Sequence, residues 1–417
     1  MRIALIAIGS RGDVQPYVAL GLGLKNSGHD VCIVTHAIFE KFVRDAQLDF
    51  GLVRQNPQQA LQSNLGQAAL NDNSTHSLQS FSKLINESLP QVFADILAAC
   101  EDQDALISSP LGYYCAPHIA EKLGIPLINA YTLPVHPTRD FPNYLFATPL
   151  SRGALYNKLS YLPGQLFGWM PFIQTINQCR KSVLGLPAIS PKMFMKSGNR
   201  WPMVYGFSPT VLPKSVDWGD KIDVSGYWFL DQADDWQPPP ALVDFIGAGT
   251  KPIYIGFGSM NSQNPRATTE LIFQALEATD QRAVLATGWG GLESLQTAGR
   301  VFSVTGVPHD WLFPQMAAVI HHGGAGTTAT GLRAGIPSII TPFYLDQPFW
   351  GYRVAQLHAG PNPIPHKTLT VENLSKAILT ALNDPLIQNG ATAIGTAIRS
   401  ENGVSAAVNK INYYLRV

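Results

Sequence analysis

His321-His322-Gly323-Gly324-Ala325-Gly326-Thr327-Thr328 follows the apolar run Ala317–His321 and leads into a stretch with helical spacing. A strand that ends in a glycine-rich turn and then a helix is the repeating joint of a parallel α/β sheet. Amide N–H groups at a helix start lack intrahelical partners and sit at the positive end of the helix dipole. Glycines let an anion approach that backbone, and Thr327 adds a hydroxyl donor. His322, just before the turn, can give a further hydrogen bond or a positive charge. The competing reading is a glycine turn needed only for tight packing. The attached His and Thr residues favour the anion site. The same stretch fits Gly-x-Gly-x-x-Ala through Gly324, Gly326 and Ala329, with Asp346 17 positions on. That is close to a dinucleotide fingerprint, so an NAD-dependent dehydrogenase is a rival. Against it, the fingerprint belongs at the first strand of a nucleotide-binding unit, and several strands precede it here.

Outward from this turn the alternation continues. Pro252–Gly256, Arg282–Ala286, Val301–Val304 and Ser338–Thr341 read as strands. Thr268–Ala278, a segment from Thr327, and stretches near 348–357 and 371–383 read as helices. A second turn, Gly256-Phe257-Gly258-Ser259-Met260, also has the composition of a phosphate cradle. Two such turns suit a diphosphate better than one, although a plain left-handed turn explains Gly258 equally well. Asp346-Gln347 follows the last of these strands. An adjacent carboxylate and amide can read vicinal hydroxyls, and Asp346 before Pro348 also fits a helix cap.

The first half repeats the pattern. Residues 2–8 form a buried strand, and Pro16 opens the following helix. Val31–Thr35, Ala105–Ser108 and Pro126–Ala130 are strands, with a helix over Ala116–Leu123. Residues 55–95 are polar with a helical pattern. Between the first strand and helix lies Gly9-Ser10-Arg11-Gly12-Asp13. Asp13 at a strand end is either a general base or half of a weak surface ion pair with Arg11. Residues 133–205 are rich in Pro and aromatics, among them Phe141, Tyr144, Phe146 and Trp169. These serve either as the wall of an apolar pocket or as cover for the sheet. Asp231 through Pro240 ends in three prolines and reads as a stiff linker. The fold class is therefore α/β, with two doubly wound, Rossmann-like parallel-sheet domains, 1–230 and 241–400, facing an interdomain cleft. Residues 401–417 form a last segment.

Composition narrows the function. Of 417 residues, 46% are hydrophobic and 14% charged, and Lys+Arg and Asp+Glu are each 29. A disordered chain would be less apolar, and a nucleic-acid binder would carry a basic excess. The cysteines Cys32, Cys100, Cys115 and Cys179 are scattered, which argues against a disulfide framework or zinc cluster and for a reducing compartment. No uncharged apolar run reaches the roughly 18 residues of a membrane span. Met1–Ile8 resembles a short signal segment, but Gly9–Asp13 interrupts it too soon. There is no Gly-x-Ser-x-Gly, Walker or His-Glu-x-x-His motif. Asp102-Gln103-Asp104 has a metal-binding form, but a solvated charge cluster explains it better.

With these residues assembled, the chain resembles a GT-B glycosyltransferase of the nucleotide-sugar-dependent family one, closest to the sterol 3-β-glucosyltransferase branch. Gly9 through Pro16 is similar to that branch's N-terminal signature, and Val307 through Pro314, His321 through Thr328 and Pro342 through Gly351 resemble its donor box. The resemblance implies that Val307 and His309 border the uracil and ribose, Val307 through its backbone. It implies that His322, Ala325, Gly326 and Thr327 hold the diphosphate, with Ser259, Ser10 and Arg11 nearby. Asp346 and Gln347 would bind the sugar hydroxyls, and Asp13 would deprotonate the acceptor. The last helix, around 404–416, would cross back onto the first domain. The reaction implied is inverting transfer of a sugar, glucose by default, from a UDP-sugar donor to a lipophilic alcohol acceptor, without a metal or other cofactor. A sterol, flavonoid, polyketide or carotenoid acceptor all fit, and a UDP-sugar 2-epimerase shares the architecture. The implied protein is a cytoplasmic monomer that touches membranes only peripherally.

Overall fold

The computed structural model describes residues 1–70, 75–147, 152–191, 200–231, 236–258, 264–288 and 299–416. The chain divides into two compact units: Met1–Asn143, Arg152–Leu230 and Asn402–Val417 in the first, Tyr144–Ser151 and Asp231–Glu401 in the second.

The strands of the first unit are β1 (Arg2–Ile6), β2 (Asp30–His36), β3 (Asp49–Val53), β4 (Ala105–Ser108), β5 (Leu127–Tyr131), β6 (Met203–Tyr205) and β7 (Ile222–Val224). They make a parallel sheet ordered β3-β2-β1-β4-β5-β6-β7. The crossovers include α1 (Arg11–Asn26), α2 (Glu40–Asp45), α3 (Pro57–Gln62), α4 (Asn64–Leu70), α5 (Thr75–Cys100), α6 (Ala116–Leu123), α7 (Gly153–Leu159), α8 (Tyr161–Trp169) and α9 (Ile173–Ser182). After the exposed Arg2, β1 is apolar to its end because helices cover both sheet faces. Ile3, Leu5 and Ala7 pack with Val14, Val18 and Ile33 on one side, and Ala4 and Ile6 with Phe93, Ile96 and Ile119 on the other. Each fully buried side chain of this kind contributes about 1.5–3 kcal/mol.

The second unit contains α10 (Pro240–Gly247), β8 (Ile253–Gly256), α11 (Pro265–Ala278), β9 (Ala283–Ala286), β10 (Val301–Val304), α12 (His309–Leu312), β11 (Ala318–His321), α13 (Ala325–Ala334), β12 (Ser338–Ile340), α14 (Gln347–Gln356), α15 (Val371–Asn383) and α16 (Pro385–Ser400). Its parallel sheet runs β10-β9-β8-β11-β12. In both sheets the strand order reverses beside the unit's first strand, between β1 and β4 and between β8 and β11. Ligands of open α/β sheets bind at such switch points. The last helix, α17 (Gly403–Leu415), belongs to the first unit. Val408 and Ile411 join the core beside α1, and a side chain at Gly23 would collide with Val404.

Several sequence expectations are corrected. Helix α1 starts at Arg11, so Pro16 lies inside it rather than at its first turn. The reason is local: the Asp13 carboxylate accepts the Ser10 amide at 2.8 Å, the return half of a capping box. Likewise α13 starts at Ala325, two residues before Thr327. The three-proline run is not a spacer to its end: Pro239 caps α10 and Pro240 is its first residue. Tyr144–Phe146, placed by sequence in the first domain, belongs to the second unit.

One contact ties the first sheet's strand ends together. His36, at the end of β2, is 1% exposed. Its Nε2 accepts the Gly9 amide at 3.1 Å, beyond β1, and its Nδ1 donates to the Gln55 carbonyl at 2.6 Å, beyond β3. Both bonds require the neutral ring, and burial lowers its pKa to about 4. Buried His118 is lowered to about 3, by burial and then by Arg180, whose guanidinium contacts its ring at 3.0 Å. The unfolded chain therefore binds protons that the folded chain refuses between about pH 6.5 and pH 4. Stability should fall with pH across that window, by about 1.4 kcal/mol per pH unit for each such histidine. Denaturant melts of wild type and His36→Gln at stepped pH will check this: the variant's slope should be shallower by one proton.

Candidate active site

The second unit's switch point is built from two glycine turns on neighbouring strands, since His321 on β11 pairs with Gly256 on β8. Gly258 has φ of 62°, and a side chain there would meet the His322 ring at 3.3 Å. A Cβ at Gly324 would come within 2.5 Å of Nε2, a clash that glycine avoids. His322 thus packs against both glycine turns. Its Nδ1 is sealed from solvent and has no hydrogen-bond partner among the described residues. Burial, and then His309, lower its pKa to about 4, so the ring is neutral near pH 7. Of the two roles the sequence offers His322, a hydrogen bond or a positive charge, the lowered pKa favours the hydrogen bond from a neutral ring.

Helix α13 begins right after this ring. Its cap residue is Gly324, and no side chain caps it. The Thr328 amide already bonds the Gly324 carbonyl at 3.0 Å, so Ala325, Gly326 and Thr327 supply the open amides of the first turn. Gly326 is exposed, and a Cβ at that position would meet nothing within 4 Å. Three open amides at the dipole end make this turn a candidate anion cradle, with the His322 ring directly before it in the chain. Behind it, His321 is fully buried and accepts the Gly323 amide at Nδ1, which holds the turn. Thr328 packs inward rather than toward the cradle, 1% exposed.

The other expected groups are distributed as follows. His309 lies at the first turn of α12, stacked on Phe313 at 4.4 Å, with Nε2 3.0 Å from the Tyr254 hydroxyl. Burial holds that phenol protonated. Val307, half-buried, packs against the apolar cluster of Tyr254 and Phe313. Asp346 is the residue before α14, but its carboxylate does not cap the helix: Oδ2 accepts the Trp350 indole N–H at 2.9 Å. Gln347, 5% exposed, accepts the Phe343 and Tyr344 amides at 2.8 and 3.3 Å. Just before the pair, Leu345 holds a left-handed φ of 56°, a strained setting for a γ-branched residue, which fixes the pair at the strand end. Ser259 lies outside the described residues.

In the first unit, Asp13 bonds Ser10 rather than Arg11. Its Oδ2 accepts both the Ser10 amide and hydroxyl at 2.8 Å. Packing around the carboxyl raises its pKa against the lowering effect of those two bonds, although the residue as a whole is exposed. Gly9, at φ 133°, leaves the space the carboxylate occupies. Arg11 is exposed, 4.9 Å over the Phe42 ring and 3.4 Å from Gln15 Oε1. The four aromatics are divided between the two units. Trp169 packs edge-on against Tyr113 and Tyr114, as cover for the sheet. Phe141 meets Trp218 at 6.0 Å. Tyr144 and Phe146 lie in the second unit, where burial and Asp346 push the Tyr144 phenol up to about 12. Asp104 is tied to Arg2, accepting its amide at 2.7 Å, which makes it structural. Among the described residues no three His, Cys, Asp or Glu side chains group as metal ligands, and no helix is long and apolar enough to cross a membrane. His36 escapes sequence reasoning, because a lone histidine at a strand end carries no motif.

Comparison with known proteins adds relatives. Residues 3–142 match the glycosyltransferase family 28 N-terminal domain, and residues 270–410 the erythromycin biosynthesis protein CIII-like C-terminal domain. Two sterol 3-beta-glucosyltransferases of Arabidopsis thaliana are each 39% identical over 100% and 98% of this chain, which spans 68% and 64% of their lengths. One from Pichia angusta is 37% identical over 98% of the chain, which spans 33% of that protein. Among solved structures, the glycosyltransferase of kitacinnamycin superposes with a TM-score of 0.74 at 18% identity, covering 99% of both chains. The calicheamicin glycosyltransferase CalG4 gives 0.71 at 15% identity, covering 100% of this chain and 98% of its own. These likenesses show the GT-B fold.

His322→Ala should weaken UDP binding by roughly 1–3 kcal/mol, the scale of a lost hydrogen bond to a charged group. An anion beside His322 raises its pKa, so binding takes up a proton and wild-type affinity should tighten as pH falls from 7 toward 5. Calorimetry in buffers of different ionisation enthalpy will read that proton, and the alanine variant should lose it.

Proposed function

The chain belongs to the family of the sterol 3-beta-glucosyltransferases, and from that premise we propose that it transfers glucose from UDP-glucose to the hydroxyl of a lipophilic alcohol of the sterol type, with inversion at the anomeric carbon. The observation that carries this reading is the uncapped start of α13 beside the sealed, partnerless Nδ1 of His322. That pairing suits a diphosphate, and the family relatives supply the sugar and acceptor class. The dehydrogenase reading loses its support, because Gly324 and Gly326 follow β11, the fourth strand of their unit in chain order, and not β8.

The acceptor oxygen attacks the anomeric carbon on the face opposite the diphosphate. The bond from that carbon to the diphosphate oxygen breaks, and its electron pair stays on the leaving UDP. The acceptor proton passes to Asp13. Oδ2 of Asp13 is engaged twice by Ser10, so Oδ1 is the atom that takes the proton. The raised pKa makes this carboxylate a stronger base than a free one. Charge grows on the diphosphate as the bond breaks, and the first-turn amides of α13 with His322 strengthen their hold as it grows. Arg11 supplies a further positive group. The carboxylate of Asp346 and the amide of Gln347 read the sugar hydroxyls, and Val307 and His309 border the nucleoside. Amides and imidazole take the role that a divalent cation plays in other transferases, so no metal is needed. The setting proposed is cytoplasmic, with the chain as a monomer.

Asp13→Asn should abolish transfer from labelled UDP-glucose while the UDP dissociation constant stays within about twofold, since the amide keeps the turn but cannot take the proton. Unchanged turnover would remove Asp13 from the mechanism. Activity should also survive EDTA treatment. A strict Mg²⁺ requirement after chelation would contradict the cation-free cradle. A panel of sterol, flavonoid, polyketide and carotenoid alcohols under the same assay identifies the acceptor.

A further inference from the structure

Helices α7 and α8 are amphipathic the wrong way round for a protein in water. Only Ser160, in a helical conformation, separates them, so the two run on as one helical path. Leu155, Leu159, Leu162, Leu166 and Met170 follow at spacings of four, three, four and four, which puts them on one face. That face points outward: their exposures are 73%, 51%, 51%, 44% and 53%. The opposite face is buried and carries the Tyr161 ring, 1% exposed, together with polar residues. Asn157 and Ser160 are 6% and 7% exposed. Asn157 Nδ2 donates to the Arg139 carbonyl at 2.8 Å, and Ser160 Oγ accepts the Asn143 amide at 2.8 Å. These hydrogen bonds lock the rotation of the helices, so the leucines cannot turn inward. A contiguous exposed apolar row of this size marks a contact surface.

Charge says what covers it. Residues 141–216 contain eight Lys and Arg and no Asp or Glu, in a chain of net charge zero, and of these Arg180 is buried and paired with Glu121. Arg152, the residue before α7, and Lys158, next to Leu159 within it, are both exposed. Apolar side chains bordered by cations suit the boundary between acyl chains and anionic headgroups. A water-soluble partner protein would more commonly meet a mixed-charge rim.

We propose that the α7–α8 face docks on the surface of a membrane containing anionic lipid, with the leucine row entering the headgroup boundary and Arg152 and Lys158 engaging headgroup phosphates and carboxylates. The test needs neither donor nor acceptor, so its failure leaves the transfer reading standing. The full chain is co-sedimented with phosphatidylcholine vesicles, with and without phosphatidylserine. Binding should favour the phosphatidylserine vesicles and weaken in high salt. Leu155→Ser/Leu159→Ser should cut vesicle partitioning about tenfold with an unchanged melting temperature, because these side chains are exposed. Arg152→Glu/Lys158→Glu should remove the preference for phosphatidylserine. No binding to either vesicle, or equal binding by the leucine variant, would overturn the proposal. So would a concentration-dependent dimer in sedimentation velocity that the leucine variant abolishes, since a second copy would then own the face.

Discussion

A helix that begins at glycine cannot cap itself. Helix α13 starts from Gly324 with no side chain over its first amides, and the ring before it has a sealed nitrogen with no partner among the described residues. Leaving such groups unsatisfied costs free energy that a bound anion returns. Much of the second unit serves this condition. Gly258 and Gly324 admit the imidazole only because they lack side chains, and the pairing of β8 with β11 brings their turns together.

The first unit solves a different problem at the same place in its sheet. A carboxylate there must be held still yet kept basic. Ser10 holds it through one oxygen, and His36 holds the turn that carries Ser10. The histidine bridges the turn after β1 to the segment after β3, so the turn's geometry rests on three strand ends and not on a loop alone. Asp13, the proposed base, is also part of a helix cap, which couples its protonation to the firmness of the start of α1.

Much of this architecture is legible in the sequence, and the limits have physical causes. Ala105–Ser108, Ala116–Leu123, Val301–Val304 and Val371–Asn383 coincide with the elements observed, because turn residues bound them and one period rules each. The glycine turns are legible because few other residues allow those backbones. β6 and β7 have three residues each, too few to show alternation, and an aromatic stretch surrounds the first. β3 alternates weakly at a sheet edge. Trp169 and Phe141 are ambiguous in sequence because an aromatic in a core and one lining a pocket look alike in composition; only the structure shows Trp169 against Tyr113 and Phe141 against Trp218. The inverted face of α7 and α8 has an ordinary helical pattern. Only the burial of Asn157 and Ser160 reveals which side is outside.

The return of α17 to the first unit sets an order of events during synthesis. Val408 and Ile411 fill space beside α1 that nothing nearer in sequence supplies. Residues 403–415 must therefore leave the ribosome before the unit that holds β1 is sealed. Through the whole translation of the second unit the first waits with an open flank, a substrate for chaperones. A truncation just before α17 would strike hardest at the unit that holds β1, far from the cut in sequence.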